Sequence, residues 1–150
     1  MFKSIVWAND GSEAAQQALP LVKELAREGG GAVTIVHVVE RVEGSGAVGP
    51  TRRVDEPEVQ KQLEQLTAEL EQEGFAASLY INADVGARPA HEIVETARQR
   101  DADLIVVGSQ GHTMITGLLL GSVAYRLLHV APCPVLVVPP PRRVGRAARG

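Results

Sequence analysis

A chain of 150 residues that is 45% apolar and 22% charged has the composition of one domain with a real core, which excludes a disordered or low-complexity protein. No apolar run approaches the roughly 20 residues of a membrane span, the opening residues lack a signal-peptide layout, and a lone cysteine, Cys133, excludes an internal disulfide. The net charge of −3 is unevenly placed: residues 140–150 carry Arg142, Arg143, Arg146 and Arg149 and no acid, which leaves −7 on the remainder (−3 less +4) and argues against a nucleic-acid surface. The expectation is a cytoplasmic domain over residues 1–139, without nucleic-acid or membrane partners, followed by a basic, disordered tail over 140–150.

Residues 5–8 form a short apolar run that reads as a strand. Asn9-Asp10-Gly11 makes a turn, and Ser12, followed by acidic Glu13, is an N-cap for a helix reaching about residue 27. Ala15, Ala18, Leu19, Val22, Leu25 and Ala26 share one face of that helix. Pro20 inside it predicts a kink or a shift of register, and Gly29-Gly30-Gly31 ends it. Residues 32–39 are β-branched and nearly all apolar, as in a strand buried on both faces. Residues 40–55, with Gly44, Gly46, Gly49 and Pro50, predict a long mobile loop. Residues 56–73 read as a charged helix with a stripe at Val59, Leu63, Leu66 and Leu70, stopped by Gly74.

Residues 77–82 alternate as an edge strand does. Pro89 suits the first turn of a helix that carries Ile93, Val94 and Ala97 to about residue 100. A buried strand over 103–107 leads into the glycine-rich stretch 108–122, and Ser122 opens the next helix. Pro132-Cys133-Pro134 breaks the chain before a last strand, Val135–Val138, which Pro139-Pro140-Pro141 ends. Five strands with four helices between them predict an α/β fold, a single-domain open parallel five-stranded sheet with helices on both faces.

In such sheets ligands bind beyond the carboxyl ends of the strands. Asp10, residues 38–40 and residues 108–111 all fall there, so three separate segments point to one rim. A glycine after a strand lets main-chain amides approach a ligand, and a helix start favours an anion. Strand, glycine loop and helix start together read as a phosphate cradle. Plainer roles stand beside these. Asp10 suffices to orient its turn, and Gly117 and Gly121 suffice to relieve packing. His37 reads as a hydrogen-bonded core histidine, and Cys133 as a packed thiol. His91 and His129 are helical and read as structural or exposed, and Leu118-Leu119-Leu120 reads as an anchor of the loop. His112, in the glycine-rich loop, is a candidate to approach a phosphate. No metal-type spacing of Cys and His is present.

Gly108-x2-Gly111-x9-Gly121-Ser122 resembles the nucleotide-binding signature of the universal stress protein family. Asp10-Gly11-Ser12, His37-Val38-Val39, Gly86-Ala87-Arg88-Pro89-Ala90-His91-Glu92-Ile93 and Pro134-Val135-Leu136-Val137-Val138 resemble it as well, in the family's order. The resemblance implies strand order 3-2-1-4-5, a bound adenine nucleotide and a homodimer pairing the last strands, Val135–Val138. By the same resemblance Asp10 holds the ribose hydroxyls, and Ala8, Asn9 and Val38 line the adenine. Val107, Gly108, Gly111, Gly121, Ser122 and Val123 wrap the phosphates. The chemistry is apt: an ionised Asp10 accepts from both hydroxyls, and Ser122 offers a hydroxyl and a helix-start amide to a terminal phosphate.

The leading expectation is therefore an ATP-binding stress-response or regulatory homodimer with a regulatory partner still to be found, carrying Mg²⁺ or Mn²⁺ only together with the nucleotide. No catalytic residue or metal ligand is assigned. A slow ATPase or phosphotransferase is a rival, although the Walker pattern is absent and the glycine loop has no lysine. A phosphoacceptor receiver matches poorly at Asn82-Ala83-Asp84 and lacks a lysine near the last strand. A non-catalytic dimer scaffold with an empty site is the remaining rival, favoured if Trp7 or Gln110 fills the cleft.

Overall fold

A computed structural model describes residues 2–42, 51–52, 55–111 and 120–141. In chain order the elements are β1 (Ser4–Ala8), α1 (Glu13–Gln17), α2 (Leu19–Gly29), β2 (Ala32–Val38), β3 (Arg41–Val42), β4 (Thr51–Arg52), α3 (Glu56–Gln72), β5 (Ala76–Asn82), α4 (Pro89–Gln99), β6 (Leu104–Gly108), α5 (Ser122–Val130) and β7 (Val135–Val138). Five strands form one sheet in the order β5-β2-β1-β6-β7, every neighbouring pair parallel. Numbered among themselves, those five run 3-2-1-4-5, the expected order.

Two expectations need correction. The helix after Ser12 is two helices, because Pro20 has no N–H to donate to the carbonyl four residues back. Ala18 N–H turns to Ala15 O at 3.2 Å, and the ladder restarts with Val22 N–H on Ala18 O at 2.9 Å, leaving Pro20 in the first turn of α2. The stretch 40–55 is not all loop, because β3 and β4 pair antiparallel through Arg41 with Arg52 and Val42 with Thr51. Its residues 43–50 and 53–54, where mobility was expected, lie outside the described residues, as does the basic tail from 142 onward.

Side-chain alternation along the strands divides the core in two. Ile5 and Trp7 of β1 face one side, with Val33 and Ile35 of β2 and the Val59, Leu63, Leu66 and Leu70 stripe of α3. Val6 and Ala8 face the other, with Val36, Val38, Ile105, Val107 and the inner faces of α4 and α5. Both neighbours of β1 run parallel to it, one reached by a crossover to each side. The strand order therefore reverses between β1 and β6, and the gap beyond their carboxyl ends is where an open α/β sheet offers a crevice.

Candidate functional site

A cavity of about 500 Å³ opens at that reversal point. All ten residues singled out from the sequence line it: Ala8, Asn9 and Asp10 after β1, Val38 on β2, Val107, Gly108 and Gly111 after β6, and Gly121, Ser122 and Val123 at the start of α5. Residues as far apart in the chain as Ala8 and Val123 thus share one hollow. Val36, Ile93 and Tyr125 line it too and were not anticipated, and Glu40 joins them from the rim expected at residues 38–40. Val36 was discoverable, since it lies two residues before Val38 and so on the same face of β2. Tyr125 carried no such signal.

The wall formed by β1 and β2 is built from side chains. Asn9 is 2% exposed and is held at three of its polar atoms. Its N–H donates to Val36 O at 2.9 Å, its Oδ1 accepts from Gly11 N–H at 2.9 Å, and its carbonyl lies 3.0 Å from His37 Nδ1. A carbonyl only accepts, so Nδ1 carries the hydrogen. The other ring nitrogen, Nε2, lies 2.6 and 2.9 Å from the two oxygens of Glu56, the first residue of α3. His37 and Glu56 are both buried at 3% exposure. His37 is the hydrogen-bonded core histidine expected, and its partner across 19 positions was not expected. The remaining polar atom of Asn9, Nδ2, is buried with no hydrogen-bond partner among the described residues. Leaving a donor in that state costs about 1–3 kcal/mol.

Asp10 serves its turn and faces the cavity at once. Its Oδ1 accepts from Ser12 N–H at 2.9 Å, the local role the plainer reading assigned. Its Oδ2 lies 2.9 Å from the point where a β-carbon on Gly111 would stand. The Asp10 carboxylate and the glycine loop are thus in contact across the chain. Gly11 adopts φ +80°, which a side chain rarely tolerates, and so permits the turn that presents Asp10.

The opposite wall is built from main chain. A β-carbon on Gly108 would meet Ala14 Cβ at 3.0 Å and Ala15 N at 3.1 Å, so the space is taken by α1. A β-carbon on Gly121 would meet Ser109 O at 3.1 Å. At both glycines the space a β-carbon would take is filled by protein, which lets the chain close on itself beside the cavity. Gly121 N–H donates to Ser109 O, and Ser109 N–H to Val138 O at 2.8 Å, which ties the chain leaving β6 to the chain entering α5 and to β7. Residues 112–119 between them, with His112, Gly117, Leu118 and Leu119, lie outside the described residues. Gly121 gives α5 no side-chain cap. The first-turn residues Ser122, Val123 and Ala124 therefore bring amides without intrahelical partners to the cavity wall.

Trp7 does not obstruct this hollow. It is fully buried in the other core, against α2 and α3, because β1 alternation sends it to the opposite face from Ala8. Gln110 lines the cavity without filling it. The other flagged residues lie apart. His91 and His129 are exposed, with His129 Nδ1 3.0 Å from Tyr125 O. Cys133 is half-buried and unbridged, and burial, aided by the Asp103 carboxylate, pushes its thiol above the usual range. A thiol held protonated is a poor nucleophile, which agrees with a packing role. Among the described residues no group of three or more His, Cys, Asp or Glu side chains is placed to hold a metal, and no helix is long and apolar enough to cross a membrane.

Residues 1–139 match the profile of the universal stress protein family. Universal stress protein YxiE of Bacillus subtilis is 34% identical over 151 aligned residues, spanning 92% of this chain and 99% of that one. Universal stress protein MJ0531 of Methanocaldococcus jannaschii is 35% identical over 148, spanning 95% and 85%. Among solved structures, that of MJ0577 superposes with a TM-score of 0.74 at 28% identity, covering 95% of this chain and 99% of that one. The universal stress protein from Archaeoglobus fulgidus in complex with dAMP has a TM-score of 0.62 at 26% identity, covering 90% and 96%.

Proposed function

This chain belongs to the universal stress protein family, and from that premise we propose that it is an ATP-binding stress-response protein acting as a homodimer. The observation that carries the reading is the contact of the Asp10 carboxylate with Gly111, beside the uncapped start of α5, around one cavity of about 500 Å³. Apolar Ala8, Val36, Val38 and Ile93 suit the base, Asp10 the ribose hydroxyls, and the amides and hydroxyl at Ser122 the phosphates. The dAMP complex of the Archaeoglobus fulgidus relative, an adenine nucleotide on the same fold, supports this choice of ligand. A divalent cation would arrive with the triphosphate. Binding at the start of α5 would change the surface shown to a regulatory partner. The placement of Trp7 on the far face weakens the rival reading of an obstructed, empty scaffold.

The test is calorimetric titration with ATP and Mg²⁺. Micromolar binding that Asp10→Ala and Gly111→Val abolish is the expected result; no heat and no melting shift at millimolar ATP would refute the reading. The dimer rests on β7, which has β6 on one side and no strand partner on the other among the described residues. Such an edge invites a symmetric partner strand. Sedimentation at micromolar concentration should give twice the monomer mass, and a monomer there removes the dimer from the proposal.

A further inference from the structure

Resting on the nucleotide reading, we infer that Glu40 sets the charge selectivity of the site: its carboxylate opposes free polyphosphate, more strongly with each phosphate the ligand carries. Glu40 follows β2 by two residues, is half-buried and lines the cavity. Its Oε1 lies 3.9 Å from the point where a β-carbon on Gly111 would stand, and Asp10 Oδ2 lies 2.9 Å from the same point. Beyond Gly111 and its chain neighbours, no other atom of the described residues comes within 4 Å of it. Two carboxylate oxygens thus edge the open space against this glycine. Toward α5, Gly111 N stands 3.8 Å from the matching β-carbon position on Gly121, next to Ser122. A ligand with its ribose at Asp10 and its phosphates at Ser122 therefore passes Gly111, and with it Glu40. Asp10 and Glu40 are the only acids among the lining residues, and no lysine or arginine joins them. Residues 112–119 contain no lysine or arginine either. Against the two carboxylates the start of α5 sets its amides and a partial charge of roughly half a proton. In the nucleotide reading the ribose hydroxyls donate to Asp10, so Glu40 is the acid on the phosphate side. Each further phosphate adds repulsion from it, with no cationic side chain of the lining to offset the charge. A polyphosphate whose charge is already lowered by a divalent cation escapes most of that repulsion, which gives the cation of the proposed function a reason in this chain's own residues.

The experiment titrates adenosine, AMP, ADP and ATP, in EDTA at low ionic strength, on the full chain and on Glu40→Gln, which keeps the shape and removes the charge. In Glu40→Gln the affinity for ATP should rise about tenfold. ADP and AMP should gain successively less, and adenosine should bind as it does to the native chain. High salt should shrink the gain, because it screens charge. A change that adenosine shares in full, as loss of a ribose contact or of packing would give, overturns the inference. So does an affinity for ATP that stays at the native level. If Glu40→Gln does not fold, Glu40→Ser removes the same charge with a smaller side chain and is judged by the same series. The native chain supplies a further measure that needs no variant: added salt should strengthen ATP relative to adenosine, and the opposite trend overturns the inference. Absence of binding by all four ligands, with Mg²⁺ as well as with EDTA, is a different failure, that of the nucleotide reading itself.

Discussion

The wall that β1 and β2 give the cavity is held by side chains, whereas the wall that β6 and α5 give it is held by main chain. On the first, Asn9, Asp10, His37 and Glu56 hydrogen-bond one another's segments across 19 and 28 positions. On the second, Gly108 and Gly121 contribute by lacking a side chain, and Ser109 by its carbonyl and amide. The difference bears on tolerance. A side-chain wall fails when a partner is removed and leaves a buried polar group alone. A main-chain wall fails when something is added.

The sharpest break in this comparison is Glu56→Ala. It strips the partner from His37 Nε2 in a place with almost no access to water. Removing one member of a buried ionisable pair costs about 3–5 kcal/mol, which should lower Tm by about 10 °C for a domain of this size. Replacing both residues with leucine should cost less than the single change, because no ionisable group is then left alone and only the Asn9 carbonyl loses its partner. Thermal unfolding of the two variants checks both statements. A single variant that melts with the native protein would mean the pair holds nothing.

Gly108→Val probes the other wall by addition. Its β-carbon meets the backbone of α1, at Ala15 N and Ala14 C, which no side-chain rotation can clear. A displacement of α1 costs about 1–3 kcal/mol, and denaturant unfolding should show it as a lower midpoint with an unchanged slope. Ser12→Ala returns to the side-chain wall with a smaller loss. Ser12 Oγ accepts from Ala15 N–H at 3.3 Å, a long cap bond, so the cost should sit near 1 kcal/mol. Gly108→Val should therefore exceed Ser12→Ala in the same titration, and the reverse order would place α1 elsewhere.

The two walls were unequally legible in the sequence. The main-chain wall announced itself, because a glycine demanded by close packing leaves a spacing that can be read directly, as at Gly108, Gly111 and Gly121. Its cause was less legible: only the folded chain shows that α1 takes the space a β-carbon on Gly108 would need. Asp10 was readable from its turn. Glu56 was not, since an acid at a helix start has an ordinary explanation in the helix dipole, and nothing local ties it to a histidine in another element. The strands, with their β-branched runs, revealed the fold class, while their order followed from the family resemblance; Pro20 foretold a kink or a shift of register in the first helix but not that the two halves would become separate helices. The pairing of Arg41 with Arg52 spans residues whose composition spoke only of a loop.

Gly111→Ala sets the two walls against each other with the least change in stability. The added carbon would stand 2.9 Å from Asp10 Oδ2, the far end of a side chain that can rotate, and 3.9 Å from Glu40 Oε1. Stability should therefore move by less than about 0.5 kcal/mol, as for a surface substitution. Rotation has a different price at the site, because it turns away the oxygen that the proposed function assigns to the ribose. A hydrogen bond to a charged acceptor contributes about 1.5–3 kcal/mol, so nucleotide affinity should fall about tenfold or more. Loss of affinity with retained Tm is the signature that the main-chain wall sets where the side-chain wall can point. If affinity holds instead, Asp10 and Gly111 are neighbours without being coupled, and the glycine there answers only to the path of the loop.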